Sequence, residues 1–114
     1  MSADDERKLL LALANAIELA LIEDQNQFGK FGESLTSYMS EQDPGLGKPR
    51  ASWGADLNAL WHFSDNYFDA FAHGFPDLDK IAWPHARFLL DDAIEKVRRG
   101  EPITASEVLR YARN

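Results

Sequence analysis

A set of histidines and aspartates near the middle of the chain has the residue types of a metal site. Its members are spaced three, four and four residues apart, which aligns them on one helix face: His62, Asp65, Asp69 and His73. Imidazole and carboxylate groups are zinc ligands. At about 1.5 Å of rise per residue, however, the two histidines would lie roughly 16 Å apart, so one ion could contact only a neighbouring pair. We therefore predict a solvated polar face and no metal.

The second candidate for chemistry is a pair of adjacent acids, Asp91 and Asp92. On a helix these side chains diverge by about 100°, and the neighbouring sequence does not give them the contrasting environments that acid–base catalysis requires. Nucleophile motifs are missing as well, since the sequence has no cysteine and no GxSxG. The glycines at 45 and 47 follow no predicted strand, as a phosphate-binding loop would require. We predict a non-enzymatic protein without a cofactor.

Charge is distributed unevenly along the 114 residues, which carry a net charge of −7. Residues 51–95 hold eight acids and two bases, whereas residues 96–114 hold five bases and two acids. An acidic chain lacks the surplus of Lys and Arg that binds nucleic acid or anionic lipid. The charge therefore predicts a basic protein partner, with no direct binding to nucleic acid or membrane. A solvated face that serves solubility is the alternative.

The apolar positions recur at helical spacing and predict an all-α fold. Helices are expected over residues 3–28, 53–73, 84–99 and 105–113, with a short helix over 33–42 in the connector 29–52. Ser52 is placed to cap the second main helix, Gly100 to end the third, and the Thr104 to Glu107 capping box to begin the last. No stretch alternates as a strand would. We predict a single-domain bundle of about four main helices over residues 1–114.

The first apolar segment, Leu9 to Ile22, is shorter than the roughly 20 residues of a membrane span and contains Glu18. Acids at 4, 5 and 6 precede it, unlike the basic start of a signal peptide. Leu11, Leu19 and Ile22 widen its apolar face, so this helix should be central and contacted on more than one side. We expect a cytoplasmic protein.

Five of the eight aromatic side chains from Trp53 to Trp83 fit or bracket the core stripe, which predicts that the series belongs to the core. Phe63 and Phe88 lie off the core stripes of their helices, and we expect a neighbouring helix to cover both. The alternative for Phe88 is exposure beside acids, which would make it an anchor for a partner.

The outer faces of the second and third main helices are the candidate partner-binding surface, because they lie opposite the core stripes. The residues are His62, Asp65, Asp69, Phe88, Asp91, Asp92 and Glu95. Charges on such a surface set the association rate, and the aromatic side chain supplies desolvated contact area.

Small, cysteine-free, acidic and helical, the chain resembles in type the immunity proteins that bacteria make against nuclease toxins of the colicin and contact-dependent growth inhibition kinds. The resemblance covers size, charge and helicity across the chain. It implies a stoichiometric inhibitor that covers a basic nuclease domain with carboxylates in place of phosphates. The alternative is a small regulatory or scaffold bundle, such as a phage or operon-encoded accessory protein, with a helix-docking groove. The oligomeric state stays open.

Overall fold

The fold is known from a computed structural model, which describes the backbone of residues 2–24, 31–73 and 83–103. Side chains are described over 2–22, 35–65, 67–68 and 88–103. The described elements are α1 (Ala3–Asp24), α2 (Phe31–Gln42), a short 3₁₀ helix (Pro44–Gly47), α3 (Ala55–His73) and α4 (Trp83–Arg99). The predicted all-α fold is confirmed for these residues, which contain no strand. The predicted helix over 105–113 lies outside them.

Two predicted boundaries differ from the structure. The short helix expected over 33–42 is present as α2, which begins two residues earlier, at Phe31, and has 12 residues. Ser52 does not cap α3, because that helix begins at Ala55 and its first internal hydrogen bond runs from Asn58 N to Gly54 O at 3.1 Å. The side chain of Trp53 is buried before the helix starts, and this packing sets the boundary later than the local capping signal.

Helix α1 contacts α2, α3 and α4, so it is contacted on more than one side as predicted, and α3 likewise contacts each of the other three helices. The buried residues of α1 follow the helical repeat, and five of them are fully inaccessible: Leu13, Ala14, Ala16, Ile17 and Ala20. The apolar face is narrower than predicted, however. Leu19 is 38% exposed and Ile22 is 50% exposed, because both point away from the packed side of the helix.

The 3₁₀ helix and α3 are joined through one indole group. Asp43 Oδ1 accepts a hydrogen bond from Gly45 N at 2.8 Å and so begins the 3₁₀ helix. Trp61 Nε1 donates to Leu46 O at 2.8 Å, which fixes this turn against α3. Phe63, predicted to be covered by a neighbouring helix, is indeed buried with 2% of its surface exposed.

The end of α4 is a Schellman motif. Gly100 N donates to Val97 O at 3.1 Å, and Glu101 N donates to Lys96 O at 2.8 Å. Gly100 has φ of 77°, the left-handed conformation that this motif requires. The predicted stop at Gly100 is therefore confirmed, and the following residues turn back so that Ile103 is fully buried.

Candidate protein-binding face

Helix α4 separates apolar and polar residues onto opposite sides. The buried side consists of Leu89, Leu90, Ala93, Ile94 and Val97, none of them more than 5% exposed. The other side carries the residues that we call the α4 outer face: Phe88, Asp91, Asp92, Glu95 and Arg99. These follow one another at helical spacings of three or four residues, so they form one strip about three turns long.

Phe88 is the most exposed large apolar side chain among the described residues, at 63%. The expectation that a neighbouring helix covers it is wrong. Phe88 precedes the buried Val97 by nine residues, which is about half a turn out of phase on the helix. It therefore points directly away from the side of α4 that packs on α1.

Two acids of the α4 outer face are neutralised within the same helix. Asp92 Oδ2 pairs with Lys96 Nζ at 2.9 Å, and Glu95 Oε2 pairs with Arg99 Nη2 at 2.8 Å. The hydrogen bond and charge of Glu95 raise the pKa of the Arg99 guanidinium. We did not predict these pairs from the sequence, although each acid precedes its base by four residues, which is the spacing of helical ion pairs. A cationic partner must therefore compete with Lys96 and Arg99 for these carboxylates.

The predicted binding residues on α3 are His62, Asp65 and Asp69. His62 is half-buried and meets the Trp61 ring edge-on at 5.1 Å between centroids, whereas Asp65 is exposed. Asp69 lies in α3, with its side chain outside the described residues. Helix α4 contacts both α1 and α3. The predicted residues on α4 form one strip, whereas on α3 only His62 and Asp65 have described side chains.

Helix α4 is held in this orientation by the first turns of α1, through a contact that we call the helix-end junction. Arg7 Nη1 donates to Val97 O at 2.8 Å, so a guanidinium lies at the negative end of the α4 dipole. The neighbouring Glu6 carboxylate lies against Gly54 at the positive end of α3, where a Cβ would overlap it. Asp56 Oδ2 accepts from Ile103 N at 3.1 Å and ties the chain after α4 to the start of α3.

A cleft of about 410 Å³ lies beside the helix-end junction, between the first turns of α1 and α3 and residues 100–102. Within the described structure, Glu6 Oε1 and Asp56 Oδ1 are buried there without a hydrogen-bond partner. Protein atoms cover both oxygens, so a ligand in the cleft would not reach them unless the side chains moved. The polar groups of the cleft hold helix ends together, and we therefore assign the cleft no ligand.

Two further findings for the described residues concern metal binding and membrane insertion. Among the side chains described, at 2–22, 35–65, 67–68 and 88–103, no three of histidine, aspartate or glutamate are grouped as metal ligands. Nor does any described helix have the length and apolar character needed to cross a bilayer.

A comparison of the chain with protein families, with curated proteins and with solved structures found no match in any of the three.

Proposed function

We propose that this chain is a non-enzymatic binding protein whose partner docks on the α4 outer face, and that the partner is the basic domain of a nuclease toxin. The observation that carries the proposal is Phe88, an aromatic side chain 63% exposed within a strip of acids. Aromatic anchors surrounded by charge are typical centres of binding energy in protein interfaces. A nuclease groove must be positive to bind its substrate, which suits a carboxylate-bearing inhibitor.

The binding model assigns different roles to the residues of the face. Phe88 enters a pocket on the partner and supplies the apolar area that leaves water. Asp91 lies one turn further along and attracts the basic rim of that pocket. Asp92 and Glu95 contribute after their helix-internal pairs with Lys96 and Arg99 have been exchanged for partner cations.

The proposal is tested by parallel affinity capture with immobilised wild type and variants, using a lysate of the cell that makes this chain. Wild type should retain a basic protein with nuclease activity, and added free chain should suppress that activity at one-to-one stoichiometry. Phe88→Ser and Asp91→Lys should each reduce retention at least about tenfold, the loss of about 1.4 kcal/mol. Ile22→Ser is the matched control, because Ile22 is an exposed aliphatic side chain on another helix.

Equal retention by wild type and by Phe88→Ser would contradict the proposal, as would a retained partner without surplus positive charge. Reversal of Asp65 and Asp69 to Lys tests the α3 group separately. If that variant alone loses the partner while remaining helical by circular dichroism, the interface lies on α3 and not on α4.

A small regulatory or scaffold domain is the second candidate, favoured by the ion pairs that reduce the net field of α4. The salt dependence of the association rate distinguishes the toxin inhibitor from the regulatory or scaffold domain. A charge-steered inhibitor should associate much more slowly as ionic strength rises, whereas an apolar docking domain anchored by Phe88 should change little.

A further inference from the structure

The surroundings of Phe88 combine an open aromatic ring with carboxylates on the next turn of α4. Phe88 is 63% exposed, so most of its ring is open to solvent. Asp91 and Asp92 follow it by three and four residues, and side chains at these spacings are neighbours on a helix surface. Helical side chains lean toward the N-terminus, so both aspartates lean toward the turn that carries the ring. A cation stacked beside the ring can therefore contact carboxylate oxygen as well.

The carboxylate of Asp92 already has a cation of its own. Asp92 Oδ2 lies 2.9 Å from Lys96 Nζ, and the two side chains are 33% and 27% exposed. A lysine from a partner would exchange one ammonium for another at this carboxylate, without a gain in charge attraction. Lys96 lies eight residues from Phe88, about 12 Å along the helix axis, so this pair leaves the ring open. The pair therefore favours a partner cation that also contacts the ring.

Arginine and lysine differ in this respect. A guanidinium is planar and weakly hydrated, stacks on an aromatic face, and directs its N–H groups outward in its own plane, where they meet carboxylate oxygens. An ammonium is compact and strongly hydrated, so it loses more hydration on contact with the ring. We propose that the α4 outer face recognises arginine in preference to lysine, with the guanidinium stacked on Phe88 and bonded to the aspartates of the next turn.

This preference rests on the proposed function, because it specifies the partner's chemistry at the same face. The pocket that receives Phe88 then has an arginine in its wall. Guanidinium groups bind phosphate in two-pronged geometry, so a nuclease groove is a natural source of such arginines. The inhibitor would contact the groove through the arginines that otherwise bind substrate phosphate.

Titration of the whole chain with two peptides, followed by NMR of the backbone amides of α4, tests the preference. The probes are acetylated hexapeptides in which three arginines or three lysines alternate with glycine, compared at equal ionic strength. Wild type should bind the arginine peptide about threefold or more tightly than the lysine peptide, as expected of an exposed cation–π contact. Phe88→Leu keeps an apolar side chain but removes the ring, so its two dissociation constants should be equal.

Two further variants locate the carboxylate contact. Asp92→Asn should weaken the binding of both peptides, whereas Lys96→Gln should strengthen both, because their cations no longer compete with Lys96 for Asp92. Ile22→Ser is the matched control, since it changes an exposed apolar side chain on α1 and should leave both dissociation constants unchanged.

Equal binding of the two peptides by wild type would overturn the arginine preference, as would a preference that persists in Phe88→Leu or the absence of binding to α4. Retention of a basic nuclease from the lysate together with equal peptide binding contradicts the preference and not the function. An arginine preference without a retained nuclease contradicts the function and supports the preference.

Discussion

Single residues decide where the helices of this bundle stop. Gly100 ends α4 in the left-handed conformation and lets Glu101 N reach back to Lys96 O. A glycine placed after basic residues is a local signal, and for that reason the end of α4 could be predicted from sequence. The start of α3 could not, because burial of Trp53 overrides the capping signal of Ser52.

Gly100→Ala should lower the free energy of unfolding by about 1 kcal/mol, because a Cβ strains the left-handed conformation. Gly47→Ala is the matched control, since nothing lies within 4 Å of its added Cβ and its φ is not positive. Urea denaturation of both variants measures the difference. Equal losses in the two would show that the conformation of Gly100 is not what stabilises the end of α4.

The contacts of Glu6, Arg7 and Asp56 could not be predicted from the sequence. Arg7 bonds a carbonyl 90 residues away, and Asp56 bonds an amide 47 residues away. Helical periodicity describes which side of each helix is apolar, but it carries no information about which helix end meets which. The same holds for the candidate site. The polar side of α4 could be predicted from helical periodicity, whereas the exposure of Phe88 depends on how the helices pack.

At the scale of one element, α4 combines the proposed binding face with ion pairs inside the same helix. Asp92 precedes Lys96 by four residues, as Glu95 precedes Arg99, and this order of acid before base is the favourable one in a helix. The bases also lie in the last turn, where they complement the helix dipole. The same side chains that stabilise the helix therefore lower the charge offered to a partner.

A double-mutant cycle on Asp92→Asn and Lys96→Gln should give a coupling free energy of about 0.3–0.5 kcal/mol at low salt. Urea denaturation of the four proteins measures it. In molar salt the coupling should vanish, because screening removes the attraction of exposed charges. A coupling that persisted in molar salt would mean that Lys96 stabilises the helix by packing and not by charge.

At the scale of the whole molecule, the helix-end junction links elements that are distant in sequence. It joins the start of α1 to the start of α3 and to the end of α4, while α2 packs on α1. No described helix is thus independent of α1. This arrangement supports the predicted single domain, which remains a prediction for residues 1–114.

Thermal unfolding should accordingly be a single cooperative transition. Helix content from circular dichroism and tryptophan fluorescence should give the same midpoint, because Trp53 and Trp61 lie where α3 meets the 3₁₀ helix and the core. Midpoints that differ beyond error would contradict the prediction and would indicate that one part of the bundle unfolds separately.

The adjacency of Glu6 and Arg7 also fixes the rotation of α1 about its own axis. Consecutive helical residues point about 100° apart, and here one points to the start of α3 and the other to the end of α4. Inserting or deleting one residue between Arg7 and Leu13 would turn these two charges by about 100° relative to the buried side of the helix. We therefore expect the length of this segment to be invariant among descendants of the sequence.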